Sequence, residues 1–210
     1  MSRVRLNRRE LLERCAVFGA LATLPALDLD AVSAFWDQAD VRKPTPANAI
    51  GPFYKKQAPN VRMLRSKTDA GMALAVNGRV IDTRGEPVAD AAVEIWHTDH
   101  RGHYDLSGYR FRATVPTDRA GGYQFDTIMP GHYPDRVCQH VHYLVTAPGH
   151  KPLITQLYFA TDPVFDGDPD RNFSRDPLIQ SRELVRPVTI AGDPKAMYAA
   201  VAFELCLERR

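Results

Sequence analysis

The sequence predicts an all-β protein: an antiparallel β-sandwich with long functional loops and an extended N-terminal arm. Two short stretches, residues 91–95 and 111–115, alternate apolar and polar side chains, as half-buried strands do. Turn-forming sequences at 82–85 and 118–122 separate such stretches. No convincing helical period follows residue 34, which disfavours helical bundles and α/β folds.

The other elements follow from the same kinds of pattern. Strands are predicted around 74–76 and 80–81, and at 91–95, 111–115, 140–146, 153–159, 183–190 and 198–207. Three Asp-Pro pairs begin within residues 160–176, which predicts a long loop, and long loops in compact domains are often functional. Residues 35–72, rich in Pro, Asn and Lys, predict an arm lying over a single domain formed by residues 73–210.

The first 34 residues differ in character from the rest. Basic residues, including the pair Arg8 and Arg9, precede an apolar run at 16–27 and small residues that end at Ala34. This order is typical of a secretory signal, and paired arginines are what the twin-arginine route requires. We expect export to the periplasm or the medium, with cleavage after Ala34; the alternative is an amphipathic helix that stays on the protein. The run is too short for stable insertion into a membrane.

Composition and charge limit the partners. The chain has 210 residues, 44% of them hydrophobic, and a formal net charge of +2. That charge is too small to indicate nucleic-acid binding, and no basic stripe with interleaved aromatic residues is present. A small-molecule partner is therefore expected. Beyond the signal, Cys138 and Cys206 could form one disulfide or remain two buried thiols.

The most informative pattern is His140-Val-His142 within a predicted strand. Residues i and i+2 of a strand project from the same face, so the two imidazoles would lie side by side, as two ligands of one metal must. Histidines are also common in cores and on surfaces, so the pair alone leaves a structural role equally open. No Cys-x-x-Cys pair exists, which disfavours a zinc-thiolate site.

Seven motifs, taken together, help to decide between a metal-binding and a structural role for the histidine pair. They are GRVID at 78–82, AAVEIWHTD at 91–99, RGHYD at 101–105, YQFDTIMPG at 123–131, YPDR at 133–136, HVH at 140–142 and TQLYF at 155–159. In this order the set resembles the intradiol ring-cleavage dioxygenases, the family of protocatechuate and catechol dioxygenases. The resemblance extends from about Gly51 to Asp162, over half the chain.

The resemblance implies a non-haem Fe(3+) site held by two tyrosinates and two histidines. Residue by residue, these positions fall on Tyr104, Tyr133, His140 and His142. Phenolate is a hard anionic donor that suits ferric iron, so a set of two tyrosinates and two histidines is chemically reasonable. The implied reaction cleaves a catechol-type ring between its two hydroxylated carbons with O2 and gives a muconate-type diacid. Tyr133 would leave the metal and take a substrate proton, and a homo-oligomer would be consistent with the family.

Three further site residues follow from the resemblance. Gln156 matches a position near the reacting ring, and Arg136 is the candidate cation for charge that develops on the substrate. The family usually places this arginine three residues before the first histidine, where Val137 stands here. Either a one-residue insertion preserves the role of Arg136, or Arg136 only supports the tyrosine turn. Tyr54 would line the substrate mouth or would only pack.

The sequence is also compatible with two other functions. The Val-x-Asp-x-x-Gly-x-Pro-Val pattern at 80–88 also resembles transthyretin-like and carboxypeptidase-regulatory modules, which would make the chain a non-catalytic binding domain. A zinc hydrolase is weaker, because tyrosines are poor zinc ligands and no third His, Asp or Glu is obviously placed. The short stretch before the first strand favours a compact, protocatechuate-like architecture over the catechol-specific branch.

Overall fold

Two five-stranded sheets pack face to face in the computed structural model. The structure describes residues 42–133, 136–193 and 197–210, so the predicted signal lies outside the described residues. The strands are β1 (Ala73–Asp82), β2 (Ala92–Trp96), β3 (Arg112–Pro116), β4 (Gly122–Ile128), β5 (His140–Thr146), β6 (Leu153–Phe159), β7 (Val185–Arg186), β8 (Thr189–Ala191), β9 (Tyr198–Ala202) and β10 (Leu205–Leu207).

The sheets are mixed, although most neighbouring strands are antiparallel. The first sheet has the order β10-β1-β9-β8, and β4 also pairs with β1; the second has the order β3-β2-β5-β6-β7. Parallel pairs join β1 to both β9 and β10, and β6 to β7. The all-β prediction is confirmed, but the chain returns along β1 in the same direction at its C-terminal end, so the sheets are not wholly antiparallel.

Three strand predictions differ from the structure in detail. The single strand predicted at 183–190 is a 3-10 turn (Arg182–Leu184) followed by β7 and β8, which belong to different sheets. Pro187, which lies between them, has no N–H to donate to a ladder, so pairing stops there and the chain passes from one sheet to the other. The strand predicted at 198–207 is interrupted between β9 and β10, and β4 was not predicted.

The core lies between the two sheets and is made by alternate residues of the strands. On β5, Val141, Tyr143 and Val145 are fully buried in this core, whereas His140 and His142 project from the opposite face. An outer face of a sandwich is normally in contact with water. Here the two histidines are only 3% and 1% exposed, so another part of the chain must cover them.

The covering segment is the arm, which crosses the outer face of the second sheet. Its backbone bonds to β6 where the N–H of Asn48 donates to the carbonyl of Ile154 (2.8 Å). It reaches β3 farther along, where the carbonyl of Pro59 accepts from Thr114 (2.9 Å). Described arm residues 42–72 contain no helix or strand, as expected of an extended arm. The histidines therefore lie between the sheet and the arm.

The loop at 160–176 contains three short helical turns and two buried carboxylates. The turns are Pro163–Phe165, α1 (Pro169–Asn172) and Phe173–Arg175. Asp162 and Asp176 are each 1% exposed, and both accept hydrogen bonds from the backbone just before β5. The loop thus supports the strand that carries the histidines.

Cys138 and Cys206 are both buried free thiols, which matches the second of the two expectations for them. In the part of the chain that the structure describes, no helix has the length and apolar character that a membrane span needs.

Candidate metal centre

Three neighbouring strands, β2, β5 and β6, place five side chains on one face of the sheet, beneath the arm. The registers place Trp96 of β2 opposite His142 of β5, and His142 opposite Gln156 of β6. His140 lies opposite Tyr158 in the same way. Residues directly opposite each other in a sheet point to the same face, so strand pairing alone assembles these five side chains.

The two histidines present neutral nitrogens to a common point. Nδ1 of His140 lies 2.8 Å from the carbonyl of Cys138, so Nδ1 carries the proton and Nε2 offers its lone pair. The Nε2 atoms of His140 and His142 are 3.2 Å apart. Burial, with the nearby Arg136 cation, lowers the pKa of His140 to about 3. Burial, with His140 beside it, lowers the pKa of His142 well below its usual value.

The two tyrosines reach the same region on loops. Tyr104 lies between β2 and β3, and Tyr133 lies between β4 and β5. Their ring centroids are 5.6 Å apart; the ring of Tyr133 is 5.7 Å from that of His140, and the ring of Tyr104 is 6.3 Å from that of His142. The structure therefore brings all four predicted ligands together.

Glycines allow the two tyrosine loops to pack backbone against backbone. Gly102 has φ +85°, and a Cβ added there would lie 1.8 Å from the carbonyl oxygen of His132. A Cβ on Gly131 would lie 2.5 Å from both the carbonyl oxygen of His100 and the amide nitrogen of Gly102. Larger residues at these positions would push the loops, and with them the tyrosines, apart.

Tyr104 is held in a buried, aromatic environment. Its ring stacks on Phe53 of the arm at 4.3 Å, and the guanidinium of Arg112 lies 5.8 Å from its centroid. Burial, together with the neighbouring Tyr133, raises the pKa of Tyr104 well above its usual value. Among the described residues its buried hydroxyl has no hydrogen-bond partner, an arrangement that costs roughly 1–3 kcal/mol.

Tyr104, Tyr133, His140 and His142, here called the donor group, have a chemistry that fits a ferric ion. Two neutral imidazoles face each other beside the buried Tyr104 hydroxyl, which has no hydrogen-bond partner among the described residues, so a cation would satisfy that oxygen. No group of three or more His, Cys, Asp or Glu side chains suited to a metal occurs within the described ranges, so a metal here would need the tyrosines as donors. Phenolate oxygen and imidazole nitrogen are a set that suits trivalent iron.

Arg136 and Gln156 form a polar group beside the histidines. Nη1 of Arg136 is 3.2 Å from Nε2 of His140, and Nη2 donates both to Oε1 of Gln156 (2.9 Å) and to the hydroxyl of Tyr158 (2.8 Å). Burial opposes the charge on Arg136, but Tyr158 and the Asp176 carboxylate outweigh it and raise its pKa. The guanidinium therefore reaches the site, as the insertion alternative for Arg136 requires.

Tyr54 lies one layer away from the donor group. Its hydroxyl donates to Oε2 of Glu94 (2.9 Å), and its ring lies 5.0 Å from that of Trp96, which in turn stacks on His142 at 4.9 Å. Burial and the Glu94 carboxylate raise the pKa of Tyr54 to about 12. This geometry matches the packing alternative for Tyr54, since its ring supports a side chain that contacts the site.

Sequence reasoning missed four residues that contact the predicted site: Phe53, Trp96, Arg112 and Tyr158. Two signals were available. Tyr158 follows Gln156 by two positions on a strand and so shares its face, and Phe53 belongs to the same Gly-Pro-Phe-Tyr segment as Tyr54. Trp96 lies on β2, an interior strand between β3 and β5, and packs over His142.

Comparisons with known proteins agree with this geometry. The profile of a family described as Dioxygenase matches residues 49–209. The chain is 30% identical over 198 residues to a catechol 1,2-dioxygenase of Acinetobacter baylyi, covering 80% of this chain and 64% of that protein. It is 29% identical over 190 residues to a hydroxyquinol 1,2-dioxygenase of Corynebacterium glutamicum, covering 78% and 63%. The chain thus spans less than two thirds of the length of these relatives.

Solved structures show the same fold. The dioxygenase domain of a dioxygenase carbohydrate-binding protein fusion from Streptomyces sp. SirexAA-E matches with a TM-score of 0.69 and 30% identity, covering 80% of this chain and 100% of that chain. Catechol 1,2-dioxygenase from Acinetobacter sp. ADP1 matches with a TM-score of 0.67 and 28% identity, covering 86% and 68%. The matched range of the family profile, residues 49–209, covers the tyrosines and histidines of the donor group, and the relatives are named as dioxygenases, so these matches favour an enzyme over a binding module. The chain belongs to the intradiol ring-cleavage dioxygenase family.

Proposed function

We propose that this protein is a ferric dioxygenase that cleaves a catechol-type ring between its hydroxylated carbons and gives a muconate-type diacid. The observation that carries the proposal is the convergence of two neutral imidazoles and two phenols, with Nε2 atoms 3.2 Å apart and rings within 5.6–6.3 Å. Tyr104, Tyr133, His140 and His142 would hold the iron. A ferric ion there would bind the catecholate as a Lewis acid and activate it toward O2.

Tyr133 is the residue that we assign to proton transfer. Its ring lies between those of Tyr104 and His140, and unlike Tyr104 it has no stacked aromatic neighbour within the described residues. As a phenolate it can accept a proton from a catechol hydroxyl at its Oη, which makes it the general base. His140 and His142, on a strand paired on both sides, would stay in place during this transfer.

Arg136 would stabilise the negative charge that develops on the substrate ring. Its guanidinium is fixed in advance by Gln156 and Tyr158, so little reorganisation is needed when charge appears. Gln156 is itself held, because its Nε2 donates to the carbonyl of Ala49 in the arm (2.6 Å). The arm, with Phe53 stacked over Tyr104, would exclude water from the reacting atoms.

Catechol and hydroxyquinol are the first substrates to test, because relatives of this chain are named for cleaving them. Protocatechuate is the third, because the compact architecture expected from the sequence resembles that branch. Both arginines that contact the candidate site, Arg112 and Arg136, are already engaged by protein oxygens. This arrangement favours rings without a carboxylate.

The test is a visible spectrum with an iron assay, followed by anaerobic addition of each substrate. We expect about one ferric ion per chain and a tyrosinate-to-iron absorption band that shifts to longer wavelength with catechol, then ring cleavage with uptake of one O2 per ring. A protein that stays colourless after ferric reconstitution would overturn the proposal. The Tyr133→Phe variant should bind iron more weakly and, when fully loaded with iron, should still lose turnover by about a hundredfold or more, the contribution typical of a general base.

We also propose export by the twin-arginine route. The support is the paired Arg8 and Arg9 before an apolar run, followed by small residues up to Ala34. Replacing both arginines with lysine should retain the protein in the cytoplasm, and the N-terminus of exported protein should follow Ala34. Export that persists without the arginine pair would contradict this route.

A further inference from the structure

His132 and Asp162 form a hydrogen-bonded pair next to Tyr133, one of the two tyrosines of the donor group. Nε2 of His132 lies 3.0 Å from Oδ2 of Asp162 and donates a hydrogen bond to it. The Asp162 side chain is 1% exposed, whereas that of His132 is 43% exposed. Neither side chain takes part in the chemistry proposed above, yet His132 immediately precedes Tyr133 in the chain.

The same carboxylate also holds the strand that carries the histidines. Oδ2 of Asp162 accepts a second hydrogen bond from the backbone N–H of Gln139, the residue just before β5 (2.8 Å). Oδ1 accepts from the N–H of Val164 (3.0 Å), which fixes the carboxylate within its own loop. One buried carboxylate therefore joins the Tyr133 loop, the start of β5 and the long loop after β6.

In the Tyr104 loop the Asp99 carboxylate accepts from the backbone N–H of His103 (2.9 Å), not from the histidine side chain. His103 precedes Tyr104 just as His132 precedes Tyr133, but its side chain is 76% exposed and lies 3.8 Å from the carboxylate of Asp99, too far for a hydrogen bond. Tyr104 has instead a stacked aromatic neighbour at 4.3 Å, whereas the aromatic contacts of Tyr133 are edge-on or tilted. The side-chain pair of His132 and Asp162 is therefore specific to the Tyr133 loop among the described residues.

We propose that Asp162, acting through His132, is a positioning residue for Tyr133. The pair holds the tyrosine loop in register with the start of β5, so that the phenol and the imidazoles converge. The inference rests on the proposed function, in which Tyr133 both binds the metal and accepts a proton. A side chain that must bind and release in each turnover needs a backbone that stays in place while the ring moves, and a buried carboxylate with three hydrogen bonds supplies that anchor.

The experiment compares His132→Ala with His103→Ala, each a histidine removed from the position before a tyrosine. Two measurements are made: hydrogen exchange of the segment 131–133 and of the Gln139 amide in iron-free protein, and the rate of iron release to a chelator. We expect His132→Ala to speed exchange at these sites and to speed iron release by about tenfold, as loss of an outer contact to a metal ligand does. His103→Ala should match the wild type in both.

Two further variants separate positioning from simple destabilisation. His132→Gln keeps a side-chain N–H donor and should recover most of the wild-type iron retention. In a double-mutant cycle, Asp162→Asn and His132→Ala should be non-additive, because each removes the same contact. If Asp162→Asn fails to fold, the two histidine variants still decide the matter, since His132 is largely on the surface.

The outcomes distinguish this inference from the proposed function. Wild-type exchange and wild-type iron release in His132→Ala would overturn the inference and leave the proposed function intact. A wild-type protein that binds no ferric ion would overturn the proposed function. The exchange measurement on iron-free protein would then still show whether the pair holds the Tyr133 loop, and faster exchange with no effect on iron would reject a role toward the metal.

Discussion

The histidines and the tyrosines of the donor group are held in different ways. His140 and His142 lie on β5, whose backbone pairs with β2 on one side and β6 on the other. Tyr104 and Tyr133 lie on loops, where their positions depend on contacts from elsewhere: a stacked arm residue, two facing glycines and a buried carboxylate. Sheet register fixes a side chain through its backbone, whereas a loop residue must be fixed by its neighbours.

This difference suits the two roles that we assign. We assign departure from the metal to Tyr133, which lies on a loop, whereas His140 and His142 would stay bound on a paired strand. Tyr104, also on a loop, would be held in place by its stacking on Phe53. The difference also predicts how variants should behave. Replacing a histidine on β5 should weaken metal binding and leave the fold unchanged. Disturbing the tyrosine loops should affect both packing and metal binding. Four variants or conditions test this contrast.

Replacing a strand ligand should have the largest effect. His142→Ala should reduce iron binding and turnover by more than about a hundredfold, which is the upper end of the loss that an outer-contact change causes. Because His142 projects away from the core, the far-ultraviolet circular dichroism of this variant should match that of the wild type. His100→Ala, an exposed histidine, is the control. An active, iron-replete His142→Ala protein would contradict the proposed difference between the histidines on β5 and the tyrosines on loops.

Gly102→Ala tests whether the tyrosine loops must touch. The added Cβ would lie 1.8 Å from the carbonyl oxygen of His132, and the backbone has φ +85°. We expect a loss of roughly 1–3 kcal/mol of stability from strain alone, and more from the separation of the loops, with weaker iron binding. Gly149→Ala is the matched control, because it has φ +73° and nothing within 4 Å. Equal losses in urea unfolding for both variants would show that loop contact is unimportant.

Arg112→Ala tests the contact between the arm and the Tyr104 loop. Its Nη1 donates to the carbonyl of Phe53 (2.6 Å) and its Nη2 to that of Asp105 (3.3 Å). Removing this buried side chain should cost about 1–3 kcal/mol, because the Phe53 carbonyl loses its charged donor. Iron affinity should fall less than in His142→Ala. Arg110→Ala, half exposed and paired with Asp69, should change stability by about 1 kcal/mol or less.

The last expected effect is a dependence of stability on pH in the iron-free protein. His97 is buried outside the donor group, and burial lowers its pKa to about 4. Its folded form is therefore neutral while the unfolded chain binds a proton below the usual value of 6.5, so stability should fall as pH drops from 6.5 toward 4. His97→Gln should reduce this slope by up to about 1.4 kcal/mol per pH unit. An unchanged slope would assign the acid sensitivity to other groups, such as His140 and His142.

Much of the candidate site could be predicted before the structure. The four candidate ligands were identified from a His-x-His pair on an alternating strand and, through the resemblance to the family, from two tyrosines in its motifs. The strand patterns also predicted the all-β fold and most strand positions. Predictions failed where the chain changes partners, as at Pro187, because alternation reports which face is buried but not which sheet a strand joins.

The sequence by itself determined the donor types, their spacing along the chain and the period-2 burial of the strands, because these depend on neighbours within a few residues. Only the tertiary structure decided that Trp96, His142 and Gln156 share one row, that Phe53 covers Tyr104, and that Asp162 reaches His132. These contacts join segments that are distant in sequence. They arise when strands pair and the arm packs over them, and no local pattern encodes such pairing.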